Sequence, residues 1–254
     1  MALDEFATVK VKETVKKDLK NYTLIEGFPG IGLVGTIAAK YLIEKLEFKK
    51  YGSIESDIFI PVIRVRNGKP VEPSRIFINE KRKLLVIISE QIIPHRFMDD
   101  FARAVINWVH EKNIKKIISL SGIRTEGAKE KRRVFGMGAN DKSLRLLDKY
   151  KVTIIKEGVT SGITALALLE LKDTNIEAIS LLGEVKIMTD YPAAAEVLRT
   201  MNDILKLNID VQPLLKEAKK VEQELTKFLE SLKQEKAKAQ ELEPESERRP
   251  TYYA

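Results

Sequence analysis

Short apolar runs alternate with stretches of helical periodicity between residues 22 and 205, and this alternation constrains the fold more than any other feature. Apolar runs typical of strands occupy residues 22–26, 84–88, 116–120, 152–155 and 178–182, and apolar residues at helical spacing occupy 33–46, 97–110, 143–149, 162–171 and 193–205. The run at residues 84–88 is continuous, as expected of a strand buried on both faces. The order of elements therefore predicts an α/β fold, a three-layer α/β/α sandwich with a mixed, mostly parallel sheet.

Two further strand candidates, residues 58–65 and 75–79, flank the turn sequence Arg66-Asn67-Gly68-Lys69-Pro70. We expect these two segments to pair with each other through that turn. Residues 122–140 combine glycines with charged residues, and we expect them to form a loop.

The composition is that of a globular protein with many surface ions, because 44% of the 254 residues are hydrophobic and 32% are charged. No apolar run reaches the length of about 18 residues that spans a membrane, so we expect a cytoplasmic protein. The net charge of +7 comes from scattered basic pairs without a nucleic-acid motif, so we expect no nucleic-acid partner. Abundant Lys and Glu, scarce Gln and absent Cys are typical of hyperthermophile proteins.

A glycine segment between the first strand and the first helix offers the strongest hint of an enzyme. Gly30, Gly32 and Gly35 fit the pattern G-x-G-x-x-G, and Glu55 lies twenty residues beyond the last of them. Such a pattern can hold a dinucleotide, with the acid on the ribose. The alternative is a tight turn in which these glycines, with Gly27, allow close packing of strand and helix.

Other candidates for chemistry are weak. Glu90, His95 and Arg96 could form a polar cluster after a strand, although an isolated His is more often a surface side chain. Thr160 or Ser161 is expected to cap the helix that follows, and Asp190 is placed to start another. No catalytic constellation emerges. With two His and no Cys, we expect neither a metal site nor a catalytic site.

The pattern changes at residue 211. Apolar residues then step by three and four along an a/d heptad seam that consists of Val211, Leu214, Ala218, Val221, Leu225, Phe228 and Leu232. Such a helix must bury its seam against its own domain or against another subunit. We therefore divide the chain into a domain of residues 1–210, a C-terminal helix of residues 211–240 and a flexible tail of residues 241–254.

The tail ends in Tyr252-Tyr253-Ala254 after a charged segment that cannot bury enough apolar surface to become ordered. One interpretation is a frayed end, since chain ends are usually disordered. The other is a docking motif, because two rigid aromatic rings and a terminal carboxylate can fill a pocket on a partner.

Four segments together resemble the proteasome assembly chaperone family, in particular its archaeal Pba homologues. They are Glu26-Gly-Phe-Pro-Gly-Ile-Gly-Leu-Val-Gly35 with the helix after it, Ser119-Leu-Ser-Gly-Ile123, Gly158-Val-Thr-Ser-Gly-Ile-Thr-Ala-Leu166 and Tyr191-Pro-Ala-Ala-Ala195. The resemblance covers about residues 20 to 210. It implies a phosphorylase-like α/β/α domain without a cofactor or demonstrated catalysis, which forms oligomers and escorts proteasome α-subunits.

The resemblance also implies a role for the end of the chain, because members of the family end in a hydrophobic-Tyr-X (HbYX) motif. Tyr252 matches the hydrophobic position, Tyr253 the tyrosine and Ala254 the terminal residue. The implied function is a homo-oligomeric chaperone that binds the proteasome α-ring through this tail without ATP. A homologous assembly factor as a further partner stays open, as do two other functions: a nucleotide- or nucleoside-binding enzyme that uses the glycine turn, and a scaffold that acts through residues 211–235.

Overall fold

A nine-stranded mixed sheet runs through the part of the chain that the computed structural model describes, residues 8–61, 64–125 and 131–217. The strands are β1 Val9–Glu13, β2 Thr23–Gly27, β3 Lys49–Ser56, β4 Arg64–Arg66, β5 Lys69–Val71, β6 Ser74–Asn79, β7 Leu84–Ser89, β8 Lys116–Ile123, β9 Val134–Gly138, β10 Thr153–Ile154 and β11 Glu177–Glu184. Their order in the sheet is β1-β3-β6-β7-β2-β8-β11-β9-β10, while β4 and β5 form a separate hairpin.

The centre of the sheet is parallel and both flanks contain antiparallel pairs. Strands β7, β2, β8 and β11 run parallel to one another, whereas β6 joins β7 and β9 joins β11 in antiparallel register. All six residues of β7 and all eight of β11 are buried. Continuous burial explains why β7 reads as an unbroken apolar run from Leu84 to Ile88, whereas the equally buried β11 includes Glu177, Ser180 and Glu184 beside its apolar residues.

Helices cover both faces of the sheet, which confirms the predicted α/β/α architecture. They are α1 Val34–Lys45, α2 Met98–Glu111, α3 Asp141–Lys149, α4 Ile163–Leu171 and α5 Tyr191–Leu205. Helices α1 and α5 pack against each other, as do α2 and α4. On the α2 and α4 side, Leu24, Leu85, Ile117 and Ala178 share one buried cluster with Phe101 of α2.

The structure corrects two predictions about the flanks. The described part of the first candidate, residues 58–61 and 64–65, does not pair with residues 75–79; the hairpin instead joins β4 to β5, and β6 pairs with β3 and β7. Residues 122–140 were expected to form a loop, yet β8 continues to Ile123 and β9 occupies Val134–Gly138. Strands β1 and β3 were not predicted, because their polar alternation and charges obscure the apolar pattern.

The chain separates into two units, Met1–Val211 and Gln212–Ala254. Of the predicted heptad seam, Val211 and Leu214 are described and buried, and residues 212–217 are helical. The positions Val221, Leu225, Phe228 and Leu232 and the predicted tail lie outside the described residues. Among the helices of the described ranges, none is both long and apolar enough to cross a bilayer.

Candidate functional site

A cavity of about 610 Å³ opens at the carboxyl ends of the central parallel strands. It is lined by the loop after β2 from Phe28 to Ile31, by the end of β8 with the residue that follows it, from Leu120 to Arg124, and by the segment that leads into α4. Volumes between about 300 and 1,000 Å³ are usual for small-molecule sites. The cavity therefore has the size and the position of a ligand site in an open α/β sheet.

The topology explains why a cavity forms there. Strands β2 and β8 are neighbours, but the chain leaves β2 through α1 towards β3 on one side and leaves β8 towards β9 on the other side. Connections that diverge from two adjacent parallel strands leave a crevice outside their carboxyl ends. Both diverging loops line the cavity.

A row of buried polar residues crosses the sheet beneath the cavity. Glu26, Ser119 and Ser180 are opposite one another in register on β2, β8 and β11, and each is at most 1% exposed. Strand alternation places them on the α2 and α4 face, the face of Leu24, Ile117 and Ala178. Two residues further along, Phe28, Ser121 and Leu182 line the cavity. The polar row thus lies about 7 Å below the cavity floor, measured along the strands.

Glu26 is incompletely satisfied by hydrogen bonds. The Ser119 hydroxyl donates to Glu26 Oε2 at 2.5 Å, whereas Glu26 Oε1 and Ser180 Oγ have no hydrogen-bond partner among the described residues. Burial raises the pKa of the Glu26 carboxyl to about 7, and the Ser119 hydrogen bond opposes part of that rise. In the sequence, the only sign of this buried carboxyl is the charged Glu26 at the end of the run Leu24-Ile25-Glu26. Only the register of the strands shows that it lies beside Ser119 and Ser180.

The glycine turn is built for packing. A Cβ on Gly27 would lie 2.3 Å from Ala39 Cβ, one on Gly32 would lie 2.7 Å from the Val185 side chain, and one on Gly35 would lie 2.2 Å from Leu120 O. The space in front of these glycines is therefore filled by the protein itself. Of the four predicted glycines, Gly30 lines the cavity.

The dinucleotide interpretation also fails at its acidic residue. Glu55 lies on β3, which is separated from β2 by β6 and β7, and its side chain pairs with Lys12 at 2.6 Å. It cannot reach a ligand held at the turn after β2. The glycine segment supports the packing alternative, because it lets α1 and the end of β8 approach β2 closely.

Polar groups gather on the α4 side of the cavity. Thr160, Ser161 and Thr164 line it together with Lys156, and Arg124 approaches from β8. The expected cap by Thr160 or Ser161 is wrong: the N-cap of α4 is Gly162 at φ +88°, and no side chain accepts a hydrogen bond from this end of the helix. The first N–H groups of α4 are consequently left without a side-chain cap.

Two arginines fix the segment that returns from the mouth of the cavity to β9. Arg133 donates to Glu184 Oε1 at 2.6 Å, and Arg132 pairs with Asp190 Oδ2 at 3.0 Å. Both carboxylates are fully buried. The Arg133 hydrogen bond holds the pKa of Glu184 down at about 2. As predicted, Asp190 caps α5, accepting from Ala193 N at 2.9 Å.

The predicted cluster of Glu90, His95 and Arg96 does not form. Glu90 pairs with Arg75 at 2.5 Å and with Arg64 at 2.6 Å, whereas His95 and Arg96 are exposed. The Arg96 guanidinium stacks over the Phe97 ring instead, 4.5 Å from its centroid. Within residues 8–61, 64–125 and 131–217, no group of three or more His, Asp or Glu side chains could hold a metal ion.

The predicted partner-binding residues Tyr252, Tyr253 and Ala254 lie outside the described residues, so their role stays a prediction. The cavity, in contrast, was missed from the sequence as a site. Its lining comes from segments more than 100 residues apart, from Phe28 to Thr164, and only the sheet order brings them together.

Comparison with known proteins places these features in a family. The profile described as the PAC2 family matches residues 24–229. The uncharacterised protein MJ0106 of Methanocaldococcus jannaschii is 33% identical over 224 residues, which cover 88% of this chain and 92% of that protein.

Solved structures with the same fold include two proteins of Pyrococcus furiosus. PbaA, described as an archaeal homolog of proteasome-assembly chaperone, has a TM-score of 0.82 at 29% identity, covering 92% of this chain and 96% of that chain. PbaB, described as an archaeal proteasome activator, has a TM-score of 0.74 at 26% identity, covering 87% and 98%. These matches confirm the resemblance that the glycine segment and the three later motifs indicated.

Proposed function

Because this chain belongs to the PAC2 family, we propose that it is a non-catalytic proteasome assembly chaperone that binds proteasome α-subunits through Tyr252, Tyr253 and Ala254. The observation that carries the proposal is the combination of two independent facts. The body is similar over nine-tenths of its length to PbaA, a homolog of proteasome-assembly chaperone, and the sequence ends in a hydrophobic-Tyr-X motif. Either fact alone would be weak, since a three-residue motif often arises by chance.

In the proposed mechanism the body forms a homo-oligomer in the cytoplasm and residues 241–254 act as a tether. A chain of 14 residues spans roughly 20 Å as a random coil and at most about 45 Å when extended. The Ala254 carboxylate pairs with a basic residue in a pocket between neighbouring α-subunits. The Tyr253 ring is buried there, and Tyr252 covers an apolar rim. No step requires ATP, a metal or a cofactor.

Deletion of residues 252–254 tests the proposal directly. The full chain should bind recombinant archaeal α-rings in a pull-down, and the deletion should abolish binding while the melting temperature and the oligomer stay unchanged. A single Gly added after Ala254 should also weaken binding, because it moves the carboxylate away from its partner. Thr251→Ala, next to the motif, is the matched control and should bind normally.

The outcomes separate the alternatives. Unchanged α-ring binding after the deletion would contradict the tail proposal. Loss of binding through Leu225→Asp, with the deletion harmless, would favour a scaffold that acts through residues 211–235. The nucleotide-binding alternative has lost its support at Gly32 and Gly35, whose surroundings are filled by Val185 and Leu120.

A further inference from the structure

The cavity above β2 and β8 has features that the proposed tail function does not use. A chaperone that binds through its C-terminal residues needs no cavity of about 610 Å³ in its α/β body. The cavity opens to solvent past the exposed side chains of Ile92 and Val159, and its volume is usual for a small-molecule site. Its lining shows what kind of molecule would fit.

The lining combines apolar side chains with groups suited to an anion. Phe28, Met98, Met137 and Ile163 are among its apolar residues. Thr160, Ser161 and Thr164 supply hydroxyl groups, and the uncapped start of α4 supplies backbone N–H groups. Helix α4 has nine residues and a glycine N-cap, and its start offers the positive end of the helix dipole to an anion.

The net charge of the lining is positive, which also favours an anion. Arg124 and Lys156 line the cavity against one carboxylate, Glu157. Within the described ranges, neither cation has an ion-pair partner, whereas Arg132 and Arg133 nearby are both paired with buried acids. The two unpaired cations are thus available to a ligand at the mouth of the cavity.

The polar row beneath the floor is not part of the lining. Glu26, Ser119 and Ser180 are at most 1% exposed and lie about 7 Å below the floor, so the lining residues alone define the ligand that the cavity can take.

We propose that this cavity binds a small organic phosphate monoester, with the phosphate at the start of α4 between Lys156 and Arg124 and the apolar body against Phe28, Met98 and Met137. Such a ligand matches the apolar and the anion-binding groups of the lining at once. Hydroxyls, helix N–H groups and two cations are the usual partners of a phosphate, and the sulfur and aromatic side chains accept a flat body.

Phenyl phosphate is a suitable probe, because it combines a phosphate with a flat apolar ring. In titration calorimetry with the full-length protein, phenyl phosphate should bind at least about tenfold more tightly than inorganic phosphate, benzyl alcohol or benzoate, which corresponds to about 1.4 kcal/mol. Inorganic phosphate tests the anion alone, benzyl alcohol the apolar body alone, and benzoate a carboxylate in place of the phosphate. Binding of benzoate as tight as that of phenyl phosphate, or no binding of phenyl phosphate, would overturn the proposal.

Variants locate the binding. Lys156→Glu and Arg124→Glu should each weaken phenyl phosphate binding about tenfold, since each reverses a charge beside the anion. Lys115→Glu is the matched control: Lys115 is also exposed, but it precedes β8 at the opposite end of the strand and should have no effect. Thr164→Val, which removes one hydroxyl at constant shape, should weaken binding several-fold. Equal effects of the Lys115 and Lys156 variants would show that only general surface charge attracts the probe, and would overturn the assignment.

Discussion

Two glycines with similar positive φ angles separate the effects of backbone strain and packing. Gly32 has φ +66° and Gly68 has φ +73°, but a Cβ on Gly32 would lie 2.7 Å from Val185, while one on Gly68 would meet nothing within 4 Å. Gly68→Ala should cost about 1 kcal/mol through the left-handed backbone alone. Gly32→Ala should cost about 2–4 kcal/mol, because overpacking against Val185 adds to that strain.

Chemical denaturation of both variants measures the difference. Equal losses of unfolding free energy would contradict the packing role of the glycine turn. A loss at Gly32 that phosphate or a nucleotide restores would instead revive the phosphate-binding interpretation of the segment.

The buried Glu26 carboxyl should make stability depend on pH in an unusual direction. Its pKa is raised to about 7 by burial, whereas in the unfolded chain it titrates near 4.5. Between these values the folded state binds the extra proton, so this group destabilises the fold as the pH rises through that window. The loss between about pH 5 and about pH 8 should be about 2–3 kcal/mol.

Glu26→Gln should remove this dependence, because the amide has no proton to lose and can still accept from Ser119. The variant should be more stable than the natural sequence at about pH 8 and similar to it at about pH 5. Urea unfolding at the two pH values is the measurement. Parallel pH profiles for the two proteins would show that Glu26 does not titrate near neutrality.

At the scale of the elements, the junction of β11 with β9 depends on one buried ion pair. Glu184 of β11 is fully buried and accepts from Arg133, just before β9, and from Thr125, just after β8. Its pKa is lowered to about 2, so the stabilisation is present above about pH 4.5 and is lost as the pH falls towards 2. Since the Arg133 side chain is 49% exposed, solvent screens part of the interaction.

Glu184→Gln should therefore destabilise the protein by about 1–2 kcal/mol near neutral pH, and by less at low pH. Glu80→Gln is the control, because the Lys17–Glu80 pair lies at the surface with Glu80 62% exposed. It should leave the melting temperature unchanged. Hydrogen exchange of the β9 amides should be faster in the Glu184 variant alone, and equal exchange in both variants would contradict the anchoring role.

Helices and strands with a clear pattern of apolar residues could be located from the sequence. Those that depend on contacts with distant segments could not. Strand β7 is buried on both faces, so its apolar run identifies it, and the apolar residues on either side of Ser180 likewise indicate β11. Strand β9 contains Gly136 and Gly138, which suggest a loop. Added Cβ atoms there would lie 2.8 Å from Leu147 and from Ser143 of α3, so these glycines serve packing of α3 on the strand.

In the candidate site, too, the features set by local sequence could be predicted and those set by distant segments could not. The glycine turn and the capping role of Asp190 are local, and both could be read from the sequence. The row of Glu26, Ser119 and Ser180 depends on the register of three strands that lie more than 60 residues apart in sequence. Local patterns cannot specify such a register, because it follows from the order of strands in the sheet.

At the scale of the whole molecule, the fold and the proposed binding mode assign different tasks to the two units of the chain, Met1–Val211 and Gln212–Ala254. The first contains the α/β sheet and the cavity, and the second ends in the proposed docking motif. In the proposed homo-oligomer each copy contributes one tail, so the affinity for an α-ring depends on how many tails engage it at once.

A synthetic peptide of residues 241–254 should therefore bind the α-ring far more weakly than the full-length protein. Linked weak sites gain affinity through effective concentration, and the gain should be ~10²–10⁴-fold if several tails dock together. The peptide should compete with the full chain only at correspondingly higher concentration, and the same peptide with Tyr253→Ala should not compete. Surface binding assays on immobilised rings would measure both affinities. Equal affinities of peptide and protein would show that a single tail binds alone, and would remove the need for an oligomer from the mechanism.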